Sequence, residues 1–281
     1  MKLHDSAKSF LFRSLPPSLF RATSIKLKIN GRCVNKCSFC KFHDDPSLLE
    51  VKDISRFFDM LNGHWYRGIV VNGGEPTIHP RFSEICDYLC ERFKGKVHLM
   101  LGTNLIPLVR SSDKHRNIFK KVLTTFDHVE VGCDDEHRNI DILEQLAPDI
   151  IQHGLSMMVN VVTDYCSTQT LERIKVLTQR LGIILALSDI HHFYNGRPVR
   201  NKMSIPCRNR FRNFTIDCNG NTFFCYHQEF EQPLFNIFDV KKEEFDYYLR
   251  SHDPGIFKFC PVCKIYEPET TLQRLAKPFC S

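Results

Sequence analysis

Short apolar runs that favour strands alternate along the chain with longer stretches in which apolar residues recur every three or four positions. The helical pattern is clearest where Ile54, Phe57 and Phe58 fall on one face of a predicted helix. Alternating strands and helices predict a parallel sheet with right-handed crossovers, which carries its chemistry at the carboxyl ends of the strands. The predicted strands are Ser24–Asn30, Gly68–Asn72, Val97–Leu101, His128–Gly132, Ser156–Thr163 and Ile183–Ser188, and the predicted helices are Val51–Leu61, Phe82–Phe93, Asn139–Gln152 and Thr168–Leu181.

The alternation ends at Ser188. Beyond it, Arg212–Asp217 and Thr222–Tyr226 flank Asn219-Gly220, a pair typical of hairpin turns, and Val240–His252 predicts a helix. We therefore expect an α/β core followed by a small α+β domain. The expected division is residues 1–23 for an N-terminal cap segment, 24–195 for the core and 196–281 for the C-terminal domain.

Composition narrows the class of protein. The chain has 281 residues, 42% of them hydrophobic, and no apolar run of about 18 residues that would predict a membrane span. Thirteen cysteines with no export signal indicate metal binding in a reducing cytoplasm rather than a disulfide framework. The net charge of +6 is modest, so nucleic-acid binding is not expected.

Three cysteines, Cys33, Cys37 and Cys40, follow the first predicted strand within eight residues. They can ligate three irons of a [4Fe-4S] cubane and leave the fourth iron open to a chelating cosubstrate, whereas ferredoxin-type sites use four cysteines. A zinc site completed by His43 is the alternative, because zinc usually takes four protein ligands.

The Cys-x3-Cys-x2-Cys spacing resembles the cysteine motif of the radical S-adenosylmethionine (SAM) superfamily. Phe39 matches the aromatic residue that often precedes the third cysteine in this family. The resemblance covers roughly Ser24 to Ser188. It implies a partial (β/α)6 TIM-like barrel, a cluster that chelates SAM, reductive cleavage to a 5′-deoxyadenosyl radical, and a flavodoxin- or ferredoxin-type reductant. Gly73, Gly74, Glu75 and Pro76 match the Gly-Gly-Glu-Pro element that holds the methionyl amine of SAM in this family.

Polar residues at other strand ends extend the candidate SAM site. Thr103 and Asn104 end the third predicted strand, and Asn160 lies on the fifth. Arg138 is a candidate for the SAM carboxylate. Ordinary loop or core roles remain open for each of them.

The C-terminal segment contains a second set of cysteines, with the spacing Cys-x12-Gly-x4-Cys followed by Cys-x2-Cys. Four cysteines can close a second cubane or hold a structural zinc. This cysteine spacing resembles the SPASM and twitch auxiliary domains of radical SAM enzymes. The shorter twitch form, with one cluster, is favoured. Cys280 is a possible replacement for one of the four ligands. The four expected ligands of this auxiliary [4Fe-4S] cluster are Cys207, Cys225, Cys260 and Cys263.

Candidate catalytic groups follow other strands. Cys133 and Cys166 are candidate hydrogen-atom donors to a substrate radical, with Cys280 a third, and a buried bystander role is the alternative for each. His191 and His192 are candidates for substrate contact or proton transfer. Six lysines and arginines and no acidic residue lie between Ile190 and Ile216, which suggests an anionic substrate or a solvated surface.

Family membership fixes the first chemical step and leaves the net reaction open. We favour oxidation of a small polar metabolite such as a sugar or cyclitol, because the cysteine spacing resembles an aminocyclitol dehydrogenase. Radical epimerisation and modification of a ribosomal peptide are the alternatives. The peptide alternative is expected less, because only about 23 residues precede the first strand, where many peptide-modifying relatives carry a leader-binding domain. A zinc-bound structural or nucleic-acid-binding module is the alternative from another class.

Overall fold

The computed structural model describes residues 21–40, 44–62, 65–109, 112–188, 193–194, 197–198, 213–223, 233 and 235–245. Its centre is one ten-stranded sheet that contains six neighbouring parallel strands. All six predicted strands are present, and the parallel α/β architecture is confirmed. In their order across the sheet, the six strands are β1 (Arg21–Arg32), β3 (Trp65–Gly73), β4 (His98–Thr103), β5 (His128–Gly132), β6 (Ser156–Val162) and β7 (Ile184–Ser188).

Helices connect these strands and pack on one face of the sheet. The four helices predicted for the core form, and one more helix in the described part of the core, between β4 and β5, was not predicted. Ser112 caps this extra helix by accepting a hydrogen bond from the His115 backbone amide. The helices are α1 (Val51–Met60), α2 (Phe82–Phe93), α3 (Asp113–Thr125), α4 (Ile140–Gln152) and α5 (Thr168–Leu181), and short 3₁₀ turns cover Pro76–Ile78, Ile106–Leu108 and Thr163–Tyr165.

The two faces of the sheet differ in chemistry. Alternate residues such as Leu27, Val71 and Leu101 are fully buried against the helices and form the hydrophobic core. Their neighbours on the opposite face, including Lys26, Asn72 and Glu130, line a cavity instead. Since successive side chains of a strand point to opposite faces, strands such as β1, β3 and β5 contribute both to the core and to the cavity wall.

The predicted hairpin forms from β10 (Asn213–Ile216) and β11 (Asn221–Phe223), with Gly220 in the left-handed conformation that the turn requires. Strand β10 pairs in parallel with β1, so the hairpin continues the sheet of the core. Phe214 stacks on Phe57 of α1 with 5.6 Å between ring centroids. The remaining strands are β2 (Asp44–Leu48), antiparallel to β1; β8 (Phe193–Tyr194), paired with β9 (Arg197–Pro198); and β12 (Phe235–Asn236), paired with β11.

Residues 242–245 are helical, and the rest of the predicted helix Val240–His252 lies mostly outside the described residues. Within the described part of the chain, none of the helices has the length and apolar character needed to cross a bilayer.

Candidate active site

The three cysteines of the first motif lie in the loop after β1 and border one cavity of about 240 Å³. Cys37 is buried, while Cys33 and Cys40 are partly exposed. The loop is tightened by a hydrogen bond from the Cys40 amide to the Cys37 carbonyl. Gly73, Gly74 and Asn104 border the same cavity, so the two sequence motifs meet where β1, β3 and β4 end.

The Gly-Gly-Glu-Pro turn is fastened to the end of β1. The Gly74 amide donates to the Asn30 carbonyl at 2.7 Å, and the Glu75 amide donates to the Arg32 carbonyl at 2.8 Å. A Cβ atom on Gly74 would lie 2.1 Å from the Arg32 carbonyl oxygen, so only glycine allows this approach. Because Arg32 precedes Cys33 directly, the turn fixes the starting point of the cysteine loop.

The Glu75 carboxylate is completely buried, and protein donors occupy both of its oxygens. It accepts hydrogen bonds from the amide and hydroxyl of Thr77, the hydroxyl of Thr103 and the amide of Asn104. Burial raises the pKa of Glu75, although the amide of Asn104 and the Thr77 donors oppose the increase. Glu75 thus holds the ends of β3 and β4 together and is not among the residues that line the cavity.

A second buried carboxylate organises the loop after β5. Asp134 accepts hydrogen bonds from the amides of Glu136 and His137 and lies 2.8 Å from the His137 Nδ1 atom. In turn, the His137 carbonyl accepts from the Asn35 side chain, and the Glu136 carboxylate accepts from the amide and hydroxyl of Ser38. This loop therefore gives the cysteine loop a second attachment, in addition to the Gly-Gly-Glu-Pro turn.

Polar side chains of the strands also line the cavity. Glu130 on β5 accepts a hydrogen bond from the Asn160 side chain on β6, and Lys26 on β1 borders the same space. The Asn72 Oδ1 atom is buried without a hydrogen-bond partner, and Asn72 lines this cavity as well. A cavity lined by charged groups, amide groups and three thiols suits a polar ligand.

Comparison with protein families decides the identity of this arrangement. The family model described as "Radical SAM superfamily" matches residues 27–181, more than half of the chain. The chain belongs to the radical SAM superfamily. Members of this family use a [4Fe-4S] cluster and SAM, as the sequence predicts.

Two curated relatives match parts of the chain. The antilisterial bacteriocin subtilosin biosynthesis protein AlbA of Bacillus subtilis is 34% identical over 79 residues, 27% of this chain and 18% of AlbA. The GTP 3′,8-cyclase of Chlorobaculum tepidum is 25% identical over 124 residues, 43% of this chain and 33% of the cyclase. The chain therefore spans a third or less of each curated relative.

Among solved structures, Streptococcus suis SuiB bound to its precursor peptide SuiA has a TM-score of 0.63 and 16% identity, over 90% of this chain and 70% of SuiB. SuiB bound to S-adenosylmethionine gives the same TM-score, over 93% of this chain and 76% of SuiB. At this identity the likeness establishes the fold, and it agrees with the partial barrel that the sequence predicts.

The residues around the cavity fit the cofactors of a radical SAM enzyme. Three thiols, a close-packed diglycine and an unpartnered amide oxygen meet at one site. Within the described residues, no three His, Cys, Asp or Glu side chains converge on a single ion, whereas the thiols of a cubane bind separate irons. Burial and the nearby Asp134 raise the pKa of Cys37 to about 12, so cluster assembly has to displace this proton.

The other residues predicted to bind SAM differ in whether they border the cavity. Phe39 borders the cavity and packs against His137 and Tyr165, with ring centroids 5.8 and 5.0 Å apart. Thr103 and Asn160 also border it. Pro76 is buried at the start of a 3₁₀ turn, and Arg138 has a left-handed backbone with φ of 52°. Neither Pro76 nor Arg138 is among the cavity-lining residues.

Two predicted hydrogen-atom donors, Cys133 and Cys166, pack in or against the hydrophobic core. Cys133 is fully buried in the hydrophobic core, and burial raises its pKa to about 12. Cys166 packs against the core, and its thiol is 3.7 Å from the Ser167 carbonyl. Neither thiol borders the cavity. The role of these cysteines as hydrogen-atom donors stays a prediction, without support from the residues that line the cavity.

Several predicted site residues lie outside the described residues. They are the catalytic candidates His191, His192 and Cys280 and the auxiliary-cluster candidates Cys207, Cys225, Cys260 and Cys263.

Sequence reasoning missed several residues that line the cavity, among them Lys26, Glu130 and His137. Lys26 and Glu130 lie on predicted strands, and their alternation with buried neighbours was a signal that they face the barrel interior. His137 follows Asp134 by three residues, and this Asp-x2-His spacing gave only a weak signal.

Proposed function

We propose that this chain is a radical SAM enzyme that modifies a peptide. The observation that carries the proposal is the 79-residue segment 34% identical to AlbA, a protein of bacteriocin biosynthesis. The likeness in fold to SuiB, solved with its precursor peptide, supports it. A sugar or cyclitol substrate, which the cysteine spacing favours, has no comparable support among the relatives, and the peptide alternative replaces it.

Cys33, Cys37 and Cys40 would hold the [4Fe-4S] cluster, and Gly73, Gly74 and neighbouring cavity residues would hold SAM. Bound together, the cluster and SAM supply a 5′-deoxyadenosyl radical, formed by one-electron reduction of the sulfonium, which removes a hydrogen atom from the substrate. The protein's own part is to fix the cysteine loop from two sides and to present a polar wall to the substrate.

Glu130 and Asn160 would contact the substrate. Their hydrogen bond joins β5 to β6, and it orients the carboxylate at the cavity wall. Across the sheet, Lys26 adds a cationic group to the same cavity. Groups of both signs suit a peptide segment, which offers amides and side chains of either charge.

We expect the net reaction to remove two hydrogens from the peptide: the 5′-deoxyadenosyl radical takes one hydrogen atom, and the substrate radical then loses a proton and passes one electron to the auxiliary cluster. Returning a hydrogen atom would need a thiol in near contact with the substrate carbon. Cys133 and Cys166 do not border the cavity, which favours oxidation or crosslinking over epimerisation. Cys207, Cys225, Cys260 and Cys263 remain our proposed ligands for an auxiliary [4Fe-4S] cluster.

The test is anaerobic turnover with ribosomal precursor peptides encoded beside the gene, together with sugars and aminocyclitols as competing candidates. Deuterium-labelled substrates are followed into 5′-deoxyadenosine by mass spectrometry. Transfer of label from a peptide, with a product two hydrogens lighter, is the expected result. Transfer of label from a sugar or cyclitol alone would contradict the peptide assignment.

A further inference from the structure

The Asn104 side chain connects the Gly-Gly-Glu-Pro turn with the cysteine loop. Its Nδ2 atom lies 3.6 Å from the Cys33 Sγ atom, within hydrogen-bonding range for the large sulfur acceptor. Asn104 is 5% exposed, so water competes little for this donor. The Cys33 sulfur accepts a second hydrogen bond, from the Asn35 backbone amide at 3.4 Å.

Three further hydrogen bonds fix the orientation of Asn104. The backbone amide of Asn104 donates to the Glu75 carboxylate at 2.7 Å, and its backbone carbonyl accepts from the Asn139 side chain at 2.7 Å. Its Oδ1 atom accepts from the Ile106 amide at 3.0 Å. With Oδ1 held in this way, the Nδ2 group is directed toward the Cys33 sulfur.

We propose that the Asn104 side chain raises the reduction potential of the cluster bound at Cys33 by donating an N–H···S hydrogen bond. A reduced cluster carries one more negative charge, which resides partly on its sulfurs, so a donor at sulfur stabilises the reduced state more than the oxidised state. This role makes Asn104 a positioning and tuning residue for the cluster. It does not depend on the identity of the substrate.

The same contacts link the potential to the SAM-binding turn. Glu75 is part of the Gly-Gly-Glu-Pro turn, and its carboxylate holds the Asn104 backbone. A shift of that turn would therefore move the donor relative to the Cys33 sulfur. On this basis, a substitution of Thr103, whose hydroxyl donates to Glu75, should change the potential in the same direction as loss of Asn104, by a smaller amount.

The test uses the full chain with its clusters reconstituted and without substrate. The midpoint potential is measured by redox titration followed by electron paramagnetic resonance, using the signal that SAM perturbs to identify the cluster at Cys33. Asn104→Ala should lower this potential and remove one exchangeable-deuteron coupling seen by pulsed resonance in heavy water, while the coupling from the Asn35 backbone amide remains. Asn104→Asp, which keeps the acceptor for Ile106, should lower the potential further because it adds a negative charge.

Asn117→Ala is the control. It makes the same side-chain change at an exposed position of α3, outside the cavity lining. Its potential should equal that of the unmodified protein. An unchanged potential in Asn104→Ala, or an equal shift in Asn117→Ala, would overturn the proposal. So would failure of both Asn104 variants to retain iron, because Asn104 would then serve assembly of the cluster.

Discussion

The Glu75 carboxylate accepts a hydrogen bond of 2.7 Å from the backbone amide of Asn104, and this bond joins the two strand ends that border the cysteine loop. Glu75→Gln should weaken this connection between β3 and β4. The substitution replaces one carboxylate oxygen with an NH₂ group, which cannot accept the hydrogen bonds donated to that position. We expect a loss of about 1–3 kcal/mol in the free energy of unfolding and weaker SAM binding. Denaturant titration and equilibrium dialysis measure the two effects. Glu84→Gln, at an exposed surface pair with Arg81, should change neither appreciably.

Gly74→Ala should disrupt the attachment of the turn to β1, because the new Cβ atom would meet the Arg32 carbonyl oxygen at 2.1 Å. Backbone shifts of this kind cost roughly 1–3 kcal/mol. We expect a lower thermal midpoint and reduced iron content after reconstitution. Gly68→Ala is a milder control, with its Cβ atom 3.1 Å from the His98 carbonyl oxygen. Equal effects of the two changes would contradict the special role assigned to Gly74.

Reconstituted protein should contain roughly eight irons, because each of two cubanes holds about four. The triple variant with alanine at Cys33, Cys37 and Cys40 should keep about half of this iron and produce no 5′-deoxyadenosine. Iron and zinc analysis, with dithionite assays, provides the measurement. If the triple variant holds one zinc and no iron, the auxiliary cluster is a structural zinc site. Normal SAM cleavage in Cys37→Ala would reject the ligand assignment of the first motif.

Cys133→Ala and Cys166→Ala should leave the product and its solvent-deuterium content unchanged, because neither thiol borders the cavity. The expected cost of Cys133→Ala is a modest loss of stability from a fully buried position. Turnover in heavy water, analysed by mass spectrometry, checks the product. An isomeric product that carries one solvent deuteron, and that disappears in either variant, would show that a thiol does reach the substrate.

Glu130→Gln should weaken peptide binding while SAM cleavage without substrate continues, because the change removes a charge from the cavity wall and keeps the side-chain shape. We expect KM for the peptide to rise about tenfold or more, the range for losing a hydrogen bond to a charged group. Steady-state kinetics separates KM from kcat. Glu144→Gln, at an exposed ion pair with Arg173, is the control and should behave as the unmodified protein.

The sequence predicts the strands well, since alternation between buried and cavity-facing residues is a local property of each strand. It does not reveal α3, whose apolar face is reduced to Ile118, Phe119 and Val122 among many charged residues. Strand β2 is also not predicted, because the sequence Asp-Asp-Pro-Ser-Leu has no strand pattern and its pairing with β1 depends on tertiary contact.

The candidate site is likewise only partly predictable from the sequence. The cysteine spacing and the Gly-Gly-Glu-Pro element are local, and the structure brings them to one cavity. The partners of Glu75 at Thr103 and Asn104 lie 28 and 29 residues away, so no spacing rule could supply them. The burial of Cys133 likewise depends on which way the chain turns after β5.

Strand β1 has partners along both of its edges, with β3 on one side and β10 on the other. A chain truncated after residue 195 would expose the backbone groups of β1 that pair with Asn213–Ile216 and would uncover Phe57 where Phe214 now stacks. Such an edge invites aggregation. A chimera that exchanges C-terminal segments between family members would therefore have to preserve the Ile25–Phe214 register as well as the cysteines.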